Sequence, residues 1–310
     1  MSQVIGSRWT YSPQNEPFYN PGSPLLLIST LLTVAKPIAP TQTNVVPPRD
    51  GSDVTAMTSL GDDVFVVRWG GKEVGVYDGA TFTLRGRIAV PRLGYSYGLA
   101  ACAHNKCLYV SDCSHDSLHA VELSGRNAVT KWSVAGRPAG LSVNNARNVL
   151  VACYKAQKVQ EYTTYGTPVR EIRLKAPWHA VQLSIGHYAV SQSTSPGAVS
   201  VVGVDGQVVR SYQPSRASDD RRMEAPMNLV VTQNDDILVA DTYNDRILSM
   251  DGSLSSVQEL VLSDDERIQE PFSLCLDKPR GRLFVGEGSG SSRVMLFDMT
   301  LCDWINLSAL

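Results

Sequence analysis

The sequence predicts an all-β fold, a six-bladed β-propeller of four-stranded antiparallel blades. Two β-rich runs joined by a polar turn, the pattern of a β-hairpin, occur six times along the chain. A short apolar strand precedes the hairpins, and a further alternating strand follows each of them. Four short strands in a unit that repeats every ~40–50 residues are typical of a propeller blade. No helical pattern separates the strands, which argues against an α/β fold.

The elements occur in the same order in each unit. The hairpins span residues 66–78, 110–122, 151–163, 190–203, 239–251 and 285–298. Prolines open four of the apolar strands, at Pro138, Pro177, Pro226 and Pro271. Glycine-containing turns such as Asp78-Gly79 and Asp251-Gly252 separate the later strands, since glycine tolerates the backbone geometry of tight turns. We expect Cys302–Leu307 to form the outer strand of the sixth blade.

Residues 1–50 differ from the rest of the chain. They contain eight of the 17 prolines, at positions 13, 17, 21, 24, 37, 40, 47 and 48. We therefore expect an extended arm, dispensable for folding, in front of a propeller of residues 51–310. The apolar run Leu25–Ala35 is shorter than the ~20 residues that a membrane-spanning helix needs. Prolines rather than a basic segment precede this run, which disfavours a signal peptide.

Composition and charge narrow the function classes. A formal net charge of −2 lacks the basic character of a dedicated nucleic-acid binder. None of the six cysteines has the C-x2-C spacing of a zinc module. We expect free thiols in a reducing compartment, with a Cys102–Cys107 disulfide across a hairpin as the alternative. The protein is accordingly expected to be cytoplasmic and monomeric, without a membrane segment, and secretion remains open.

The segment 226–251 carries the most specific motif of the chain, VADTYNDRI after a strand that a proline opens. Asp241, Asn244 and Arg246 make this segment resemble an NHL repeat. The sixth unit is similar, with Glu287 in place of the aspartate and with Arg293. The other units are degenerate: Asp112 keeps the acid, and Arg68, Cys153 and Gln192 replace it. The resemblance implies a six-bladed propeller but leaves the function open, because propellers carry many activities.

The physical interpretation of the motif is structural. Asp241 and Asn244 can bond turn amides, and Arg246 can reach the acid at a partly exposed rim of its blade.

Enzymes of related propellers suggest where a metal would bind. Peptidyl-hydroxyglycine lyases place zinc-binding histidines at the entry to the innermost strands, and lactonases that resemble gluconolactonase and paraoxonase hold calcium around the central channel. The matching positions are Thr55, Gly98, Gly140, His179, Asn228 and Ser273. One imidazole, His179, cannot build a three-ligand zinc site, and Asn228 cannot supply the oxygens that calcium needs. We expect no catalytic residue, no metal and no cofactor, with a metal-dependent lactonase or lyase in the central channel as an alternative.

The loops of one face are predicted to bind the ligand. In a propeller, the loop that enters the innermost strand and the loop between the second and third strands lie on the same side. The predicted binding residues there are Arg68, Trp69, Tyr97, Tyr154, Lys155, Trp178, His179 and Tyr243. Tryptophan, tyrosine and arginine dominate interface hot spots. The sequence therefore predicts a non-enzymatic platform for a protein or peptide, with single-stranded RNA as the alternative, since such residues also stack bases and hold phosphates.

Overall fold

The computed structural model describes residues 41–46, 52–213, 222–260, 267–288 and 292–299, all within the unit Pro37–Leu310. These residues form six four-stranded antiparallel sheets. The helical elements among them are two single 3₁₀ turns, Thr242–Asn244 and Lys278–Arg280. The predicted fold class, an all-β six-bladed propeller, is confirmed. No helix of the described residues is long and apolar enough to cross a bilayer.

The strands follow one another in chain order within the blades. β1 is Thr41–Val46. Blade one contains β2 (Val54–Leu60), β3 (Asp63–Arg68), β4 (Glu73–Asp78) and β5 (Leu84–Ala89). Blade two contains β6 (Leu99–Cys102), β7 (Cys107–Asp112), β8 (Ser117–Glu122) and β9 (Val129–Ser133). Blade three contains β10 (Pro138–Val143), β11 (Val149–Cys153), β12 (Lys158–Tyr162) and β13 (Pro168–Arg173).

The second half of the ring repeats this arrangement. Blade four contains β14 (Pro177–Gln182), β15 (Tyr188–Gln192), β16 (Ala198–Val202) and β17 (Val208–Tyr212). Blade five contains β18 (Pro226–Val231), β19 (Ile237–Asp241), β20 (Arg246–Met250) and β21 (Val257–Glu259). Blade six contains β22 (Pro271–Asp277), β23 (Arg282–Glu287) and β24 (Val294–Asp298), and its fourth strand is β1.

The first strand of each blade lines a central channel. Each first strand contacts the first strands of both neighbouring blades, and the contact between β22 and β2 closes the circle. These six strands are β2, β6, β10, β14, β18 and β22. The core lies between the blades: residues of β15 and β16 pack on residues of β18 and β19 in one apolar cluster. The second strands β11 and β19 are buried throughout, whereas the outer strand β17 is mostly exposed. Neither face of a blade could be buried in isolation, so the ring is the unit that folds.

The outer strand of blade six is a correction to the sequence-based prediction. β1 pairs antiparallel with β24, from Thr41 opposite Asp298 to Val46 opposite Val294. The prediction that Cys302–Leu307 supplies this strand is wrong, because β1 occupies that edge; residues 302–307 lie outside the described part. The division at residue 50 stays a prediction, but the stretch before it contributes a strand of the ring.

The cysteines in the described residues are free thiols. Cys102 and Cys107 lie opposite each other between β6 and β7 without the disulfide that the sequence left open. Burial raises the pKa of the Cys107 thiol to about 11, so it stays protonated at neutral pH.

Candidate functional site

Six aromatic side chains form one continuous cluster on the side of the ring where the linkers enter the innermost strands. We call this side the aromatic face, and the aromatic cluster consists of Trp69, Tyr95, Tyr97, Tyr154, Trp178 and Phe272. Trp69 stacks on Tyr95, with 4.5 Å between ring centroids and 24° between ring planes. Tyr154 meets Trp178 edge to face at 5.8 Å. The six rings come from blades one, two, three, four and six, so no single blade builds the cluster.

Three of these rings close the channel. Tyr97 lies 5.3 Å from Trp178 and 5.9 Å from Phe272, and Trp178 lies 6.1 Å from Phe272, measured between centroids. They come from blades two, four and six, which alternate around the ring, so they meet across the channel axis. Burial raises the pKa of Tyr97 against the opposing effect of the nearby Arg137 cation.

The residue positions behind this arrangement are equivalent in the repeat. Three equivalent positions at the start of the innermost strands are occupied by Gly98, His179 and Ser273. The residues directly before them are Tyr97, Trp178 and Phe272. The odd-numbered blades carry smaller or unbranched side chains at the same place, namely Val54, Ala139 and Met227. Large rings and smaller side chains therefore alternate around the axis.

The outer part of the cluster is open to solvent. Trp69 is 42% exposed and Tyr95 is 48% exposed. Tyr97, Tyr154 and Trp178 are half-buried. An aromatic side chain that packs in a core is covered by its neighbours. Trp69 and Tyr95 are not, so they present apolar area that a ligand can bury.

The structure brings four of the eight predicted binding residues together: Trp69, Tyr97, Tyr154 and Trp178. Phe272 was missed, although it follows Pro271 as Trp178 follows Pro177; this spacing was the available signal. Tyr243 lies in the 3₁₀ turn after β19 and is 65% exposed. Within the described residues it has no ring contact with the aromatic cluster.

His179 does not belong to the exposed surface of the face. Its Nε2 donates to the Leu141 carbonyl in blade three (2.9 Å), and its Nδ1 accepts from the Leu229 N–H in blade five (3.2 Å). A Cβ at Gly140 would lie 2.3 Å from the imidazole Cδ2, so glycine leaves the room that the ring needs. Burial lowers the pKa of His179 to about 4. The imidazole is a neutral bridge between blades, and the prediction of a binding role is not supported.

The Arg68 side chain also bonds within the propeller. Its Nη1 donates to the carbonyl oxygens of Ser52 (2.7 Å) and Ser292 (3.2 Å), so it joins blade one to blade six. Lys155, by contrast, is exposed. It lines an open pocket of about 530 Å³ beside the aromatic cluster, together with Arg173 and Lys175.

The motif acid of blade five is buried rather than partly exposed. Asp241 has no exposed area, its Oδ2 accepts from Arg246 Nε (2.9 Å) and Asn244 Nδ2 (2.8 Å), and its Oδ1 accepts from the Glu224 N–H (2.7 Å). Burial raises the pKa of Asp241 although the bonds from Asn244 and Arg246 oppose this. The expectation of a partly exposed pair is wrong, and the structural interpretation of the motif is strengthened.

The same position holds the incoming linker in other blades, even where the residue type changes. Glu287 Oε1 accepts from the Gln269 N–H (2.7 Å), as Asp241 does from Glu224. Where the acid is replaced, the bond reverses: Gln192 Nε2 donates to the Lys175 carbonyl (3.0 Å), and Arg68 donates to Ser52. Four blades therefore bond the incoming linker from this position with different side chains, whereas Cys153 of blade three bonds the Val151 carbonyl of its own strand.

In blade two the acid is surrounded by histidines. Asp112 is buried; Oδ2 lies 2.8 Å from His115 Nδ1 and 3.2 Å from His119 Nε2. Burial opposes ionisation of Asp112, but the bonds from the two imidazoles outweigh it and lower the pKa. The adjoining turn bonds the linker that carries Tyr95, since the Cys113 N–H donates to the Tyr95 carbonyl (2.8 Å). Within the described ranges, no group of three His, Cys, Asp or Glu side chains could hold a metal ion.

Below the three closing rings, the innermost strands enclose a cavity of about 380 Å³. Polar side chains that line the cavity form hydrogen bonds to the backbone of neighbouring innermost strands. Asn228 Oδ1 accepts from the Leu274 N–H (3.1 Å), and Ser142 Oγ donates to the Ala180 carbonyl (2.7 Å). These bonds tie blades five to six and three to four.

Sequence comparisons with known proteins do not assign the chain to a family. No family model matches the chain. A stretch of 62 residues is 37% identical to polyamine aminopropyltransferase 2 of Pseudomonas aeruginosa, but it spans 20% of the chain and only 18% of that protein.

Solved structures that are similar over most of the chain belong to proteins of different functions. Virginiamycin B lyase from Staphylococcus aureus has a TM-score of 0.62 at 9% identity, covering 82% of this chain and 98% of the lyase. Hydrazine synthase of Kuenenia stuttgartiensis has a TM-score of 0.61 at 16% identity, covering 83% and 98%. The WD40 propeller domain of Doa1 has a TM-score of 0.58 at 13% identity, covering 83% and 96%. At such identities the likeness shows the fold alone: this chain is a six-bladed β-propeller.

Proposed function

We propose that the chain is a non-enzymatic binding platform, of the NHL type, that recognises a protein or peptide on its aromatic face. The observation that carries this proposal is the aromatic cluster itself: six contiguous rings from five blades, with Trp69 and Tyr95 nearly half exposed. The buried acids Asp241 and Glu287 support the NHL assignment, because each accepts a bond from the Nε of its motif arginine, Arg246 or Arg293.

A peptide partner suits the physical character of this cluster. Aromatic side chains each bury 150–250 Å² when covered, and every Å² of apolar area removed from water contributes roughly 25 cal/mol. The rings are also fixed by their mutual contacts, so binding costs little side-chain entropy. Hot spots have this composition and this surrounding of packed neighbours.

The alternatives have less support. Trp69 and Tyr95 each use one ring face to stack on the other, which leaves fewer faces on which bases can stack and favours a peptide over single-stranded RNA. A metal-dependent lyase or lactonase would need ligands at the start of the innermost strands. The imidazole at that position, His179, has both nitrogens bonded to backbone groups.

A peptide-display selection against the full chain tests the proposal. We expect enriched peptides to bind Trp69→Ala and Tyr95→Ala about tenfold or more weakly than wild type, equivalent to roughly 1–3 kcal/mol per ring. Tyr165→Ala is the matched control, since it removes an exposed ring in the turn between β12 and β13, outside the cluster, and it should bind as wild type does. Melting temperatures should change little, because both truncated rings are half exposed.

Two outcomes would contradict the proposal. Enriched peptides that bind wild type and both cluster variants equally would place recognition elsewhere. A large loss of stability in Trp69→Ala, with binding lost in proportion, would show that the ring packs the fold rather than a ligand.

A further inference from the structure

We infer that the ligand of the aromatic face is an acidic peptide, whose carboxylates bind a basic pocket at the edge of the aromatic cluster. This inference rests on the proposed function and adds the chemistry of the ligand to it. The basic pocket is lined by Lys155, Ala156, Gln157, Arg173, Leu174 and Lys175.

The cations of the basic pocket are available to a ligand. Lys155 and Lys175 are exposed, and within the described residues neither ammonium group has a hydrogen bond or an ion pair. Arg173 is 78% exposed and bonds Glu171 through one nitrogen, Nη2, at 2.5 Å. Three positive side chains around an open volume of about 530 Å³ favour an anion, and a carboxylate or phosphate is the group that such donors bind best.

The basic pocket and the aromatic cluster are built on the same two segments. Lys155 directly follows Tyr154 in the loop between β11 and β12, and Lys175 lies three residues before Trp178 in the linker to β14. The two segments are bonded to each other, since the Leu174 N–H donates to the Gln157 carbonyl (3.1 Å). Tyr154 and Trp178 are in ring contact. One extended ligand can therefore contact rings and cations together.

Charge is distributed unevenly over the aromatic face. Arg92 and Arg137, both exposed, lie in the linkers to blades two and three, on the side of the basic pocket. The linkers and loops of blades five and six carry charges of both signs: Glu224 pairs with Arg222, and Asp245 and Glu270 lie there with Arg267. A phosphate backbone running across the face would meet these acids. A peptide with its acidic residues at one end would not, and we therefore prefer a peptide to RNA.

The test is a random peptide-display library selected against the full wild-type chain and against a Lys155→Gln/Lys175→Gln variant. We expect Asp and Glu to be enriched in the wild-type selection and not in the other. The strongest wild-type binder and its twin with glutamine at every acid are then compared by fluorescence anisotropy. The acidic peptide should bind wild type about tenfold more tightly than its twin, and the double variant should bind both alike.

Control variants separate the possible results. Lys106→Gln changes an exposed lysine in the turn between β6 and β7, outside the loops of the aromatic face, and should keep the preference for the acidic peptide. Trp69→Ala should weaken both peptides by the same factor. Added salt should reduce the preference for acid and leave the twin nearly unaffected.

Each remaining outcome has one meaning. Peptides that depend on Trp69 but show no acid preference would overturn this inference and leave the proposed function standing. A selection without any Trp69-dependent peptide would overturn both. Displacement of the acidic peptide by oligouridylate at lower concentrations than unlabelled peptide would show that the basic pocket serves RNA instead.

Discussion

At the scale of single residues, His179 shows how a polar side chain in the channel of a propeller bonds the backbone of adjacent blades. The inward edge of each innermost strand carries backbone groups that no neighbouring strand of its own sheet can bond. The imidazole satisfies one carbonyl and one N–H on the two adjacent blades. Asn228 and Ser142 do the same for single groups, so the channel is held by side chains that bridge blades.

The buried imidazole predicts acid sensitivity. The pKa of His179 is lowered from 6.5 to about 4 in the folded protein. The unfolded chain therefore takes up a proton first as the pH falls below 6.5, and the stability present at neutral pH is lost progressively down to about pH 4. Between pH 7 and pH 5 this residue should account for a loss of about 2 kcal/mol.

Urea denaturation at both pH values checks this prediction. We expect His179→Gln to be less stable than wild type at pH 7 but to lose about 2 kcal/mol less on acidification. His104→Gln, which changes an exposed histidine, is the control and should keep the wild-type dependence. An unchanged pH dependence in His179→Gln would mean that another group dominates acid denaturation.

At the scale of the blade, the acid at the end of the second strand fastens the linker that precedes the blade. In blade five this acid is fully buried and Arg246 is its cation. Arg246→Ala should destabilise the protein by about 3–5 kcal/mol, because it leaves a buried carboxylate without its partner. Asp241→Asn/Arg246→Ala should be less destabilising than Arg246→Ala alone, since no charge then remains buried.

Thermal and urea unfolding of the three proteins measure these effects, and peptide affinity should be unchanged wherever the variant is folded. Arg85→Ala removes two surface ion pairs, with Asp63 and with Asp78, and should alter stability little. Normal stability of Arg246→Ala combined with lost binding would assign the motif to the ligand rather than to the blade.

At the scale of the whole molecule, the ring is closed by contacts between its first and last blades. β1 completes the sheet of blade six although it precedes blade one in the chain. Arg68 bonds the Ser292 carbonyl at the aromatic face. Arg282 Nη1 bonds the carbonyls of Gly79 (2.9 Å) and Ala80 (2.8 Å) at the opposite end. Closure thus joins residues that are more than 200 positions apart.

Removal of β1 should open the ring. Deleting residues 1–46 exposes the edge of β24, so we expect a lower melting temperature and aggregation, because an unpaired strand edge recruits other chains. Deleting residues 1–40 keeps β1 and should preserve one cooperative transition near that of wild type. Equal melting temperatures for the two truncations would show that β1 contributes nothing to closure.

Much of this architecture could be predicted from the sequence, because its causes are local. Alternating apolar residues, glycine turns and Pro226 or Pro271 at strand starts act over a few residues, and their repetition implies six blades. Trp69, Tyr97, Tyr154 and Trp178 could be assigned to one face for the same reason: their loop positions follow from the strand order. The bond-forming role of Asp241 and Arg246 also follows from their spacing in a turn.

The tertiary structure alone determined which of these elements meet. Repetition along the chain cannot say which terminus completes the last sheet, and prolines around Thr41–Val46 masked a strand of favourable composition. Phe272 joins Tyr97 and Trp178 only because alternate blades face each other across the axis. His179 is buried because blades three and five pack against it from both sides. Each of these contacts depends on the radius at which six twisted sheets close, which is a property of the packed ring and not of any segment.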